Sequence, residues 1–432
     1  MSGQSASLKP PFAPEWLNAM KAGRWYRLSG DRPDLGLPAT KAGTRYLRDG
    51  DPARDPSLNR SRSAYHVLQR LTGRYVNAPW SGRAGFAAIT EAWNGSVLAT
   101  RFGNSGSLVV FGGGHDDYFG SDVHAFDLSR REWRRISDGF TQGCPRDYGS
   151  GAFYPNAEYP DHSPLPPHTY GYVQYDPVGN DYLILKGNSE LGPKVKALAI
   201  PHIFSLDLRQ WRRGPHHALA ILNSGGFTTW DASRRLLWGH SGDDGGGNAF
   251  IGFYPDGANS DGTFGRWGAL HPNKFPGVAN HNAMQIDPTR DIILVLVHAR
   301  DALYAINPAH PEACAMALRS SSPRPRIAEY AAIEYAPNLD RFVYYSAQDG
   351  SILHTIAAPA GMGWSALTAG EWEWMPFAAD RLDAVADARV CSRHAVNLKH
   401  TFGRFRVGSW GAIDVALLIR HIDTPVYALR LN

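Results

Sequence analysis

Apolar and polar positions alternate along this chain in short runs closed by glycine, proline and aspartate, which is the period of β-strands. One strand–turn–strand phrase recurs, as GYVQYDPVGNDYLILKG, GGFTTWDASRRLLWGHSG, NAMQIDPTRDIILVLVH and AAIEYAPNLDRFVYYSA. In each, an apolar run meets an Asp-Pro-like turn and a second run, β-branched or aromatic, follows. The pattern predicts an inner hairpin whose turn fixes the register. Its second strand, clearest at Ile292 to Val297, is apolar throughout because it is buried on both faces. The turn residues Asp176, Asp231, Asp287 and Ala336 stand about 50 to 56 residues apart, the period of a four-stranded propeller blade rather than of a helical repeat.

A third strand and a tryptophan-bearing fourth complete the unit. They are clearest in VHAFDLSRREWRRI, where Trp133 marks the outer strand, and Trp211, Trp267 and Trp374 hold the same place later. Packing between neighbouring blades is the expected role of these rings. The resulting blades span 80–137, 166–215, 217–270, 279–320, 327–376 and 397–432 of one domain. The last ends at YALRLN without an outer strand, whereas GRWYRLSG, Gly23 to Gly30, has the outer-strand pattern and stands alone. Joining the two closes the ring and removes an exposed sheet edge. Irregular segments at 31–79 and 138–165 are long enough to cover one mouth of the ring, and would raise the count from six blades to seven if either hid strands.

Composition agrees with this all-β reading. The chain has 45 Gly, 30 Pro, 19 Tyr, 18 Phe and 13 Trp, suiting aromatic strands between tight turns and leaving little room for long helices. A net charge of +4, without a basic tract, argues against nucleic acid and remains compatible with an anionic ligand. Cys144, Cys314 and Cys391 are far apart with no CxxC spacing, which excludes a zinc ribbon or a dense disulfide framework and favours free thiols over a single disulfide. No apolar stretch is long enough to cross a bilayer, and MSGQSASLKPPFAPEW lacks the features of a secretory signal. Localisation stays open: unexported as the sequence stands, extracellular or periplasmic if a leader was removed. A monomer is expected.

Candidate chemistry gathers at strand ends. In VVFGGGHDDYFGSD three glycines end an inner hairpin strand and deliver His115 as the chain leaves the core. PHTYGYVQYDP places His168 and Tyr170 at the start of the next inner strand, on one face by alternation. Lys186 ends the second strand of that hairpin, where His115 stands one blade earlier. Later blades repeat the habit with His240, with His281 beside Asn282, with Glu329 beside Tyr330, and with His400 and Arg404. Each alone is more simply structural or exposed, but polar residues at equivalent repeat positions line one axial pocket. Asp243 and Asp244 could hold a structural Ca²⁺, although their flanking glycines favour a plain turn.

FGGGHDDYFGSDVHAFDL, HTYGYVQYDP and the C-terminal HTFGRFR and PVYALRL resemble bacterial kelch-type, galactose-oxidase-like propellers, over most of the chain from Trp80 onward. Among these the chain is most similar to propeller polysaccharide lyases such as the ulvan lyases. That resemblance implies a polar pair, Asn94 and His115, and from the next blade Tyr170 and Lys186. Asn94 stands where those enzymes have a histidine, and Lys186 where they have an arginine. The same residues suit β-elimination from a uronic acid in an anionic polysaccharide or oligosaccharide. Asn94, His115 and Lys186 would neutralise the carboxylate, and Tyr170 and His168 would share the acid and base steps. No metal or other cofactor is required. His240, His281, Tyr330, His400 and Arg404 are the expected substrate contacts.

Three other functions compete with this one. A copper radical oxidase needs a cysteine beside a tyrosine on an inner strand, and none of the three cysteines lies on such a phrase. A glycoside hydrolase needs two carboxylates facing one pocket, whereas the inner phrases offer His, Tyr, Asn, Lys and Arg. A non-catalytic propeller that binds carbohydrate or protein predicts the same polar mouth, and is the alternative.

Overall fold

The computed structural model describes residues 12–30, 32–40, 89–90, 93–112, 121–137, 158–159, 161–164, 166–185, 200–217, 226–240, 249–272, 281–315, 317–347, 352–380, 382, 401–420 and 424–432. Their strands form six sheets, each built on four antiparallel strands laid side by side. The inner strands are Ser96–Ala99, Val173–Asp176, Phe227–Asp231, Ala283–Asp287, Ala332–Ala336 and Phe405–Trp410. Each lies against the next and the last against the first, so six blades close a ring around an axial channel.

Closure uses the N-terminal strand. Trp25, Tyr26 and Arg27 pair with Leu429, Ala428 and Tyr427, making Trp25–Arg27 the outer strand of the sixth blade. Arg319–Ser320, which the repeat reading placed at the end of the fourth blade, instead pairs in parallel with the outer strand of the fifth. Helix is confined, among the described residues, to short pieces such as Trp364–Ala369. Residues 32–40, from the first irregular segment, lie near blade 1, where Arg131 Nη1 donates to the carbonyls of Leu28 and Pro38. From the second, Glu158 accepts Arg213 Nη1 at 2.8 Å.

The hairpin turns explain the recurring Asp. Asp231 Oδ1 accepts the backbone N–H groups of Ser233 and Arg234, and Asp287 Oδ1 those of Thr289 and Arg290, so one carboxylate oxygen organises the turn. The other oxygen takes a guanidinium, Arg234 on Asp231 and Arg290 on Asp287. These arginines also reach the next blade, Arg234 to Asp291 and Arg290 to Asp340. Arg235 reaches back to Asp176. In the fifth blade, where Ala336 supplies no carboxylate, Asn338 donates to Asp414 of the sixth. The turn end of the ring is thus clasped blade to blade, which leaves the opposite end, where the inner strands begin, to present other side chains.

The core is a set of wedges between blades. Trp211 packs against Phe204 of its own blade at 4.9 Å and Phe111 of the preceding blade at 4.8 Å. Trp133 is buried with Trp410 of the sixth blade, Trp267 packs against the cluster of Tyr172 and Phe253, and Trp374 is buried with Ile292 of the fourth. Burying such a ring contributes on the order of 2–3 kcal/mol. The outer-strand tryptophans are therefore the pins that hold neighbouring sheets in place.

Candidate functional site

At the mouth where the inner strands begin, five blades share one device. The chain approaches each strand through a ring-bearing residue in left-handed backbone: Trp93 (φ 60°), Tyr170 (φ 41°), His281 (φ 65°), Tyr330 (φ 58°) and Phe402 (φ 49°). A bulky L-residue adopts this conformation at a cost of about 1–2 kcal/mol, and strain repeated at equivalent positions points to function more than to chance. The rings meet in sequence around the mouth. His168 lies 4.5 Å from Trp93 and 6.0 Å from Tyr170, Tyr170 lies 5.0 Å from His281, His281 stacks on Tyr330 at 4.1 Å, and Tyr330 is 4.9 Å from Phe402.

Backbone contacts hold the device between blades 1 and 2. Tyr170 N–H donates to the Trp93 carbonyl at 2.7 Å. A Cβ at Gly95 would lie 2.2 Å from the Tyr170 carbonyl oxygen, so only glycine lets the two approaches meet. Asn94 secures the same junction. Its Oδ1 accepts Thr169 N–H at 3.0 Å and its Nδ2 donates to the Ile89 carbonyl at 3.1 Å. Gly112 makes room for that amide, since a Cβ there would meet Asn94 Oδ1 at 2.3 Å.

The channel floor is polar. Arg406, on the sixth inner strand, donates from Nη1 to Glu334 Oε1 at 2.8 Å, from Nε to the Ser96 carbonyl at 2.7 Å and from Nη2 to the Val173 carbonyl at 3.3 Å. One guanidinium therefore links blades 1, 2, 5 and 6. Burial pushes the Glu334 carboxyl up, against the pull of Arg406 and the Val407 N–H. Burial, reinforced by Glu329, also pushes the Tyr330 hydroxyl above its ordinary range, so a phenolate at Tyr330 is disfavoured.

The structure divides the sequence-named residues. Tyr170, His281 and Tyr330 line the mouth pocket. His168 is buried beside Tyr170. Asn94, expected to meet a substrate carboxylate, is fully buried and committed to the backbone, and corrects that expectation. His240 is likewise buried, its ring stacked on Phe227 at 4.9 Å. Arg404 is buried with its Nε and Nη2 donating to the carbonyls of Ile419 and Arg420. It supports the turn carrying Phe402, and is no substrate contact. His115, Lys186, His400, Asp243, Asp244, Cys144 and Cys391 lie outside the described residues, and Cys314 falls on the outer strand of the fourth blade.

Sequence reasoning missed Trp93, Phe402, Glu334 and Arg406. A signal for the first two was present: a ring followed by Asn, Gly or Ala just before each inner strand, as in WNGS, YGYV, HNAM, YAAI and FGRF. For Glu334 it was a charged residue inside the otherwise apolar and aromatic strand Ala332–Ala336, and for Arg406 a charged residue near the start of Phe405–Trp410.

No protein-family model matches the chain, and no curated protein matches it. Among solved structures, a chain of the crystal structure of a nidogen/laminin complex aligns over 68% of this chain and 87% of its own length, at 10% identity and a TM-score of 0.37. The propeller assignment rests on the chain's own six sheets. Among the described residues no group of three or more His, Cys, Asp or Glu could hold a metal ion, and no helix is long and apolar enough to cross a membrane.

Proposed function

We propose that the mouth acts on a uronic-acid-containing polysaccharide by β-elimination. The observation that carries this reading is the setting of Tyr170, held in strained backbone on the pocket wall with its ring centroid 6.0 Å from that of His168 and 5.0 Å from that of His281. A phenol packed against two imidazoles brings together the group types that proton transfer needs. In the reaction a base removes the C5 proton, its electron pair forms the C4–C5 double bond, the C4–O4 bond breaks, and O4 leaves with a proton. Tyr170 and His168 share the acid and base roles. With Asn94 committed to the fold, neutralising the substrate carboxylate falls to His115 and Lys186.

A second reading, a propeller that binds carbohydrate without cleaving it, is favoured by a different observation. Arg406 at the floor is paired with Glu334, while the mouth is rimmed by rings suited to stacking on sugars. Incubating the full chain with a panel of uronate-containing polysaccharides and following the absorbance of unsaturated uronate ends separates the two. Product with unsaturated ends supports elimination. Binding without product supports the second reading, and saturated ends alone overturn the reaction class.

A further inference from the structure

We infer that Glu158 and His202 form a latch, strengthened by acid, that seats the loop from Glu158 to Pro164 on the second blade. This inference does not rest on the reaction proposed for the mouth.

The loop is closed on itself. Tyr159 N–H donates to the Ser163 carbonyl at 2.8 Å and His162 N–H to the Tyr159 carbonyl at 2.9 Å, while Asp161 Oδ1 accepts the Ser163 N–H and hydroxyl. Glu158 ties this loop to the outer half of the blade. Its Oε1 accepts Arg213 Nη1 at 2.8 Å, from the outer strand Gln210–Arg213. Its Oε2 faces His202 Nε2 at 3.7 Å, at the start of the neighbouring strand His202–Ser205. That gap is just beyond hydrogen-bond reach. Among the described residues neither Oε2 nor either ring nitrogen of His202 has a hydrogen-bond partner, although Glu158 is 9% and His202 1% exposed. Buried polar groups ordinarily find a partner, and here the two unmet groups face each other.

Charge decides how strongly they pair. Burial pushes the Glu158 carboxyl up, but His202, Arg213 and His162 outweigh it and hold the carboxyl below its ordinary value. Glu158 is therefore an anion at neutral and mildly acid pH. Imidazoles as a class gain their charge between about pH 8 and pH 5. A proton on His202 makes its contact with Glu158 a charge-assisted hydrogen bond, roughly twice as strong as a neutral one. Arg213 holds the other oxygen at either pH. It lies across the strand pair from His202 and opposes a charge there, while Asp261 of the third blade draws on Arg213. His162 Nδ1 is 3.6 Å from Oε1 but 56% exposed, where an ion pair adds little. Asp161 is engaged in its own turn. The loop ends four residues before His168, so its seating bears on the segment that carries His168 and Tyr170.

The test is hydrogen–deuterium exchange of the intact protein at about pH 5.5 and about pH 8, corrected for the intrinsic exchange rate. Protection of residues 158–164 is read against the buried strand Ile292–Val297. Relative to that reference, the loop should be about 5-fold better protected at the lower pH, the gain from charging one hydrogen bond. His202→Gln, neutral throughout, should abolish the rise, and His162→Gln should keep it. Glu158→Gln should also abolish it and loosen the loop at both pH values, which supplies the result should His202→Gln fail to fold. The inference is overturned if relative protection is the same at both pH values, if the rise survives in folded His202→Gln or Glu158→Gln, or if His162→Gln removes it. Activity toward polysaccharide does not enter this test.

Discussion

Arg406 crosses the channel from the sixth blade to Glu334 on the fifth, with Nη1 2.8 Å from Oε1, and both side chains are about nine-tenths buried, at 10% and 11% exposure. Removing one partner strands the other. Arg406→Met should lower unfolding free energy by about 3–5 kcal/mol, because Glu334 and two carbonyls lose their donor together. Adding Glu334→Leu should recover much of that loss. Denaturant unfolding of the single and double variants measures both. A single variant within about 1 kcal/mol of the parent would show the pair to be dispensable.

The ring of left-handed residues makes a prediction of unusual sign. At Tyr330 (φ 58°) glycine is the conformationally relaxed choice. Tyr330→Gly and Tyr330→Ala both lose the stacking on His281, but the glycine variant should be the more stable by about 1 kcal/mol. Elsewhere in a strand or helix the order is the reverse. Equilibrium unfolding of the two variants decides it, and alanine proving equal or better would remove strain from the account.

Acid should loosen the turn-side clasp. The hydrogen bond from Arg290, helped by the Tyr335 hydroxyl, lowers the Asp340 carboxyl to about 2. A carboxyl depressed in the folded state contributes stability that is present above its unfolded value near 4 and is lost as pH falls toward 2. Asp340→Asn should therefore flatten the fall in thermal midpoint between about pH 4 and pH 2. Because Asp340 is 53% exposed, added salt should shrink the difference. Parallel profiles for parent and variant would contradict the clasp.

The blades were legible because their grammar is local. Asp176, Asp231 and Asp287 organise turns within a few residues of themselves, and Trp133 and Trp211 mark outer strands at a fixed offset. Ring closure was legible from an unpaired strand at each end of the chain. The site was legible only in part, for a physical reason. Periodicity tells which end of a strand a residue occupies, but not whether its side chain meets the pocket or the backbone beside it. Asn94, His240 and Arg404 stand at strand ends as Tyr170 and His281 do, yet those three are fully buried and tied into hydrogen bonds or a ring stack, whereas Tyr170 and His281 line the mouth pocket. Arg406 is the converse case. It stands within an inner strand, and only the closed ring brings it to Glu334, 72 residues away.

Tyr170 carries the proposed proton transfer, and one comparison tests that role most directly: initial rates of unsaturated-end formation by the parent and by Tyr170→Phe on a uronate polysaccharide that the parent cleaves. Phenylalanine keeps the ring that meets His168 and His281 and deletes only the hydroxyl. The expected result is a loss of kcat of about 10²–10⁴-fold with KM changed little, in a protein of unaltered fold. A variant that turns over at near-parental rate would contradict the assignment of Tyr170 to proton transfer.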